Sequence, residues 1–343
     1  MTGDAVLVLA VGALLAAGVA TSLVASRLRV PGLVLFLALG MAIGSDGLGW
    51  LHFADYELAR LAGSVGLALI LFEGGLAAGY RELRPVLRPA LALAVIGTIL
   101  TALIAGLAAT WLLGLTLLEG LLLGAILSAT DGAAVFALLR GSDLPKRLSR
   151  TLEGEAGFND PVAVLLVLAV IEWITRPDYG VFDALLFFCQ ELGLGAVVGV
   201  ATGGLASLVL RRMGSAPAGL SLVASFATAA VAFGAAGALH GSGFLAAYLA
   251  GLVLGSVKLP VGSTVHAFHE GLAAVAEIGM FFALGLLVFP AQLGGVLLEG
   301  TVLALVVALV ARPAAAAVAT AFDPLAGASD CSSAGQDFGV RCR

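Results

Sequence analysis

Apolar runs about as long as a bilayer is thick follow one another from residue 5 to residue 321, and only short charged or Pro/Gly-rich breaks separate them. A hydrocarbon core of roughly 30 Å takes about 20 apolar residues per helical crossing. Cutting at the breaks gives eleven segments: 5–24, 31–49, 57–79, 89–113, 117–139, 149–174, 182–210, 218–239, 243–258, 267–288 and 294–321. Apolar residues make up 61% of the 343 and charged ones 11%, and the mean hydropathy is +1.11. A water-soluble domain of this size would lack the polar surface to cover itself. The chain therefore reads as an all-α polytopic membrane protein with about eleven transmembrane helices, whose first run is a retained helix.

The remaining composition excludes several classes. Three cysteines, Cys189, Cys331 and Cys342, form neither a disulfide framework nor a metal-ligand spacing. The 46 glycines follow no collagen period and favour close helix packing. Gly193, Gly195, Gly199 and Gly203 lack the spacing and preceding strand of a nucleotide loop and read as packing residues. His266 and His269 lack a third ligand and read as ordinary interfacial histidines, and Glu277 as a structural or solvated group. No cofactor, nucleic acid or enzymatic chemistry is indicated; the partners expected are the lipid bilayer and small ions.

Basic residues set the orientation. Arg27, Arg29, Arg81, Arg84, Arg88, Arg140, Lys146, Arg147, Arg150, Arg211, Arg212 and Lys258 follow odd-numbered segments, with Arg312 late in the eleventh. The opposite side carries Arg60 and Arg176 beside Asp46, Asp55, Glu57, Glu119, Asp178 and Asp183. The positive-inside rule then places the N-terminus outside and the odd-segment connections in the cytoplasm of a multi-pass plasma-membrane protein.

Ionisable groups within the runs mark the expected site, because an intramembrane charge is costly and usually serves ions or protons. Glu73 lies in the third segment, Asp131 interrupts the fifth within Thr130-Asp131-Gly132, and Glu153-Gly154-Glu155-Ala156-Gly157-Phe158-Asn159-Asp160-Pro161 opens the sixth. Glu155 and Asn159 are four apart and share a helix face, with Asp160 about 140° round from Glu155. Burial disfavours a carboxylate's charge and a bound monovalent cation favours it, so proton and cation compete for Asp160. A fifth helix broken at Thr130 and Asp131 would add free carbonyls and half-helix dipoles.

Together with Phe72-Glu73-Gly74-Gly75 and Thr130-Asp131-Gly132-Ala133-Ala134-Val135, that acidic segment resembles the monovalent cation:proton antiporters of family 1, the sodium/proton exchanger group. Gly241-Ser242-Gly243-Phe244-Leu245-Ala246 and Met280-Phe281-Phe282-Ala283-Leu284-Gly285 are similar to its potassium/proton branch. The resemblance implies an inverted-repeat antiporter fold, a second copy of the chain as partner in a homodimer, and electroneutral exchange of K+ or Na+ for protons. It implies Asp160 as the shared ion and proton carboxylate, Asn159 as the mark of electroneutrality, and Thr130 as a carbonyl ligand. Glu73 would hold Asn159 or complete the cation site, Asp131 would serve the broken helix, and Glu155 would pair structurally with an arginine near the C-terminus. A cation channel, a non-transporting sensor and a sodium-coupled symporter are the alternatives.

Two departures accompany the resemblance. Ala156 stands where many relatives carry a serine hydroxyl, and a Gly-Leu-Arg-Gly-Ala-Val-Pro motif on a second broken helix is missing. Hydrophobicity instead collapses after Phe322. Synonymous codons exist for Gly327 to Arg343 that, read from the third base, spell Arg-Glu-Arg-Leu-Leu-Val-Gly-Trp-Ala-Gly-Leu-Arg-Gly-Ala-Val-Pro. The expectation is a transmembrane domain over 1–322, lacking its last two helices, and an out-of-frame tail over 323–343. On that reading Glu155 lacks its cation and the chain as written is inactive and poorly stable.

Overall fold

The computed structural model describes the chain except residues 1, 29, 52, 54, 131–134, 136–143, 177, 214–216, 260 and 322–343. The apolar runs form α1 (Thr2–Leu28), α2 (Gly32–Ile43), α3 (Tyr56–Ala78), α4 (Tyr80–Leu113), α5 (Leu117–Ser128), α6 (Lys146–Thr175), α7 (Val181–Arg212), α8 (Ala218–Ala238), α9 (Gly243–Gly255), α10 (Gly262–Leu286) and α11 (Leu297–Ala321). Among the described residues seven of these are long and apolar enough to cross a membrane, and α2, α5, α9 and part of α1 are shorter apolar helices. Helix is the expected outcome, since each backbone N–H and C=O in hydrocarbon must be satisfied within its own segment.

The expected boundaries hold within a few residues for most segments. Outside the fifth segment the largest departures are α2, which stops at Ile43 where 49 was expected, and α4, which begins at Tyr80 where 89 was expected. The expected break of the fifth segment through Asp131, and the expected tail 323–343, lie outside the described residues.

The chain divides into two units. The first comprises Met1–Tyr80, Phe136–Arg140 and Glu191–Leu297, and the second Arg81–Val135, Gly141–Gln190 and Leu298–Arg343.

In the first unit, glycines bring helix backbones together. A Cβ at Gly75 of α3 would strike the Tyr248 carbonyl of α9, and one at Gly251 of α9 would strike the Phe72 carbonyl of α3. Gly40 of α2 and Gly285 of α10 meet in the same way. Along α7, a Cβ at Gly199 or Gly203 would come within 2.8 Å of Ala246 Cα or 2.9 Å of Ala250 Cα, and Gly195 faces Ser242. These three are packing residues, as their sequence context indicates; Gly193 faces open space. Lipid tails give helices no hydrophobic reason to associate, so close van der Waals contact through small residues holds them. Phe72, Leu76, Ala246, Ala250, Leu254 and Val265 form the fully enclosed centre of this unit. His269, expected at the interface, is instead buried there, its Nε2 3.0 Å from Ser225 Oγ and its ring 4.9 Å from that of Phe72. Glu73 occupies the same stretch of α3, half-buried.

In the second unit α4 is the scaffold. It contains a 3₁₀ turn over Arg84–Val86 and a π-helical turn over Leu93–Gly97. Gly106 of α4 and Gly124 of α5 press backbone on backbone, and Gly154 of α6 seats against Leu83 and Ala90. A second π-helical turn, Val307–Ala311, lies in α11 just before Arg312.

A candidate ion-exchange site

Two local features deliver the polar groups of the second unit. Thr116 and Glu119 form a reciprocal capping box at the start of α5, fixing where the helix begins. At its end Ser128 turns its hydroxyl back to the Ala125 carbonyl at 2.7 Å, and Ala129 is extended at φ -63°, ψ 143°. The last carbonyls of a helix have no intrahelical donor, so that of Ser128 is open to other partners, and Thr130 lies two residues beyond the helix end.

Helix α6 supplies the partners. Glu155 and Asn159 lie one turn apart on a buried face, Asn159 wholly enclosed, with Asp160 half-buried beside it. Pro161 lies inside the helix and has no N–H to offer the Gly157 carbonyl. The Asn159 amide donates to the Thr130 carbonyl at 3.4 Å. Among the described residues no donor reaches Asn159 Oδ1, which is buried. An enclosed acceptor left open costs of order 1–3 kcal/mol, a cost that a ligand or a water would remove.

The arginine of α11 closes the arrangement. Arg312 Nη1 donates to Glu155 Oε1 at 3.0 Å, and Nη2 donates to the Ser128 carbonyl at 2.8 Å and to Thr130 Oγ1. The planar fork of a guanidinium reaches all three, which a lysine ammonium would not. This corrects two expectations. Glu155 is not left without a cation, because Arg312 within the chain provides one. Arg312 is itself no surface marker of orientation, since its side chain is only 27% exposed and occupied by this network. Its signal was present in the sequence, as a lone arginine in an apolar run that must find a partner.

The structure thus brings together Thr130, Glu155, Asn159 and Asp160 within the second unit, adding Ser128 and Arg312. Glu73 belongs to the first unit, and Asp131 lies outside the described residues. Ala156 is buried and brings no hydroxyl to the site. The set offers carbonyls, a carboxamide and a carboxylate, all hard oxygen donors suited to a small unpolarisable cation.

The family model described as "Sodium/hydrogen exchanger, transmembrane" matches residues 11–330. The K(+)/H(+) antiporter NhaP of Alkalimonas amylolytica is 39% identical over 310 residues, covering 90% of this chain and 54% of its own length. The K(+)/H(+) antiporter NhaP2 of Shewanella sp. (strain ANA-3) is 40% identical over 308 residues, covering 89% and 54%. The chain spans about half the length of these curated relatives. Among solved structures, the sodium proton antiporter MjNhaP1 from Methanocaldococcus jannaschii at pH 8 superposes with a TM-score of 0.77 at 24% identity, over 92% of this chain and 79% of that one. That match is in fold.

Proposed function

Because the chain belongs to the sodium/hydrogen exchanger family, a multi-pass membrane family of transporters rather than enzymes, we propose that it exchanges a monovalent cation, K+ or Na+, for protons by alternating access, with Asp160 as the shared site. The observation that carries this is the Asn159–Asp160 pair on α6, where the Asn159 amide meets the Thr130 carbonyl at the end of α5. A cation held among oxygens there favours ionised Asp160; a proton on Asp160 removes the charge that holds the cation. One carboxylate thus carries either passenger and never both, and the neutral Asn159 beside it adds no second proton, which makes the exchange electroneutral.

Asp131 belongs to the same proposal, as the group that offsets the positive end of a half-helix beyond the break. Glu155, paired with Arg312, is structural. A homodimer in the plasma membrane, N-terminus outside, completes the reading, and names of the curated relatives at 39% and 40% identity favour K+. Family membership does not favour a channel or a sensor.

The test is proton movement in reconstituted vesicles upon addition of K+ or Na+, for the chain with its reading frame restored beyond residue 322 and for Asp160→Asn in that same background, the chain as written being expected to show little or none. The reading requires exchange by the former and its loss in the latter with unchanged expression and monodispersity. Unchanged flux in Asp160→Asn would sink it.

A further inference from the structure

Arg81, Arg84 and Arg88 are exposed where α4 begins, and Lys146 and Arg147 where α6 begins. The three arginines are spaced three and four apart, so they line one side of α4 over about 10 Å, while the intervening Leu83, Val86 and Ala90 are buried. Two contacts set the two helix starts side by side. Arg150 of α6 pairs with Glu82 of α4, and Gly154 of α6 lies against Leu83 and Ala90. Arg150 also holds Glu153 at 2.6 Å. Across 80–92 and 140–153 seven bases stand against three acids, Glu82, Asp143 and Glu153, and Glu82 and Glu153 both pair with Arg150.

Exposed apolar side chains alternate with these bases. Leu144 is 42% exposed and Leu148 45%, flanking Lys146 and Arg147, and Leu91 follows Arg88 at 37%. Bases interleaved with exposed leucines, at the point where two helices turn apolar, suit a surface that lies at headgroup depth. A freely soluble phosphate would neutralise the bases and make no use of the leucines. Cations at helix starts also oppose the helix dipole, and a bound anion relieves that.

We propose that the paired starts of α4 and α6 form a binding surface for the phosphate headgroup of an anionic phospholipid. The surface lies apart from the exchange site and does not depend on it. The lipid's phosphate sits across Arg81, Arg84 and Arg88, with Lys146 and Arg147 at its flank and the acyl chains along Leu91, Leu144 and Leu148.

The test uses the full chain purified in an uncharged detergent, with thermal unfolding and native mass spectrometry read against added phosphatidylglycerol, phosphatidylcholine or glycerol 1-phosphate. Phosphatidylglycerol is expected to raise the unfolding temperature and remain as an adduct, and the other two to do neither. Arg81→Gln with Arg84→Gln and Arg88→Gln is expected to weaken phosphatidylglycerol binding about tenfold or more. Arg211→Gln with Arg212→Gln, at the exposed end of α7, is expected to leave it unchanged. Equal responses to phosphatidylglycerol and phosphatidylcholine overturn the proposal, and so does an equal response to glycerol 1-phosphate, which would assign the patch to soluble anions. An undiminished response in the triple variant also overturns it and leaves the arginines a role in orienting the chain alone. Should the triple variant fail to fold, Arg84→Gln and Arg88→Gln singly are expected to weaken binding about two- to fivefold each; wild-type affinity in both overturns it.

Discussion

Arg312 Nη1 stands 3.0 Å from Glu155 Oε1, joining the helix that carries the candidate site to the last described helix of the chain. Removing one partner of a buried pair leaves the other charged and desolvated, at about 3–5 kcal/mol when burial is complete. The Arg312 side chain is 27% exposed and that of Glu155 11%, so Arg312→Ala is expected to destabilise by about 2–3 kcal/mol. Arg312→Met with Glu155→Gln is expected to recover most of that, because no lone charge remains. Arg312→Lys is expected to fall between, keeping the ion pair and losing the fork to Ser128 and Thr130. Unfolding of the four proteins in detergent decides; a double variant no better than the single one would contradict this account of the pair.

Asn159→Ala removes a donor to the Thr130 carbonyl, at a separation of 3.4 Å that marks a weak bond. A loss of about 0.5–1 kcal/mol of stability is expected, with apparent cation affinity falling up to about tenfold. Cation titrations of proton flux measure the latter. If affinity were unchanged while stability fell, Asn159 would have a packing role only.

The proposed competition of proton and cation for Asp160 also fixes a pH dependence. As pH falls and Asp160 takes up a proton, the cation loses its counter-charge, so the apparent KM for the cation must rise. The limiting slope is about tenfold per pH unit where the proton dominates the site. Flux measured over a pH series, with symmetric pH at the start of each run, reads that slope directly. A KM independent of pH would mean that proton and cation bind separate groups.

Two glycine substitutions provide a contrast in packing. Gly251→Ala places a methyl against the Phe72 carbonyl of α3, and overpacking of backbone on backbone is expected to cost about 1–3 kcal/mol or more. Gly193→Ala meets nothing within 4 Å and is expected to be neutral or to stabilise by about 0.5–1 kcal/mol, through helix propensity. The two unfolding temperatures should move in opposite directions or by very different amounts.

For residues 323–343, outside the described part of the chain, the proposal remains a change of reading frame near residues 322–327. Sequencing the locus and its transcript checks it. An uninterrupted natural frame through Arg343 would remove the idea; an inserted or deleted base would support it, and restoring the frame is then expected to raise exchange activity and stability.

Much of this architecture was legible in residue order. Runs of about 20 apolar residues leave helix as the only satisfied backbone in hydrocarbon, so the segments and most of their limits followed. The grouping of Asn159 and Glu155 on one face followed from a spacing of four. The pairing of Glu155 with Arg312 did not, because it depends on which face of α11 Arg312 occupies. The shortness of α2 was hidden because Leu48 and Trp50 extend the apolar run on paper, whereas the backbone leaves the helix at Gly44 and turns through Ser45-Asp46-Gly47.

The π-helical turn at Val307–Ala311 settles that face. A wide turn amounts to one extra residue in an otherwise regular spiral, and one residue is about 100° of azimuth. Deleting a single valine or alanine there would leave composition, hydropathy and length nearly untouched. It would nonetheless aim Arg312 a quarter-circle or more away from Glu155, turning the same amino acids into a chain with a stranded acid on one helix and a stranded base on another.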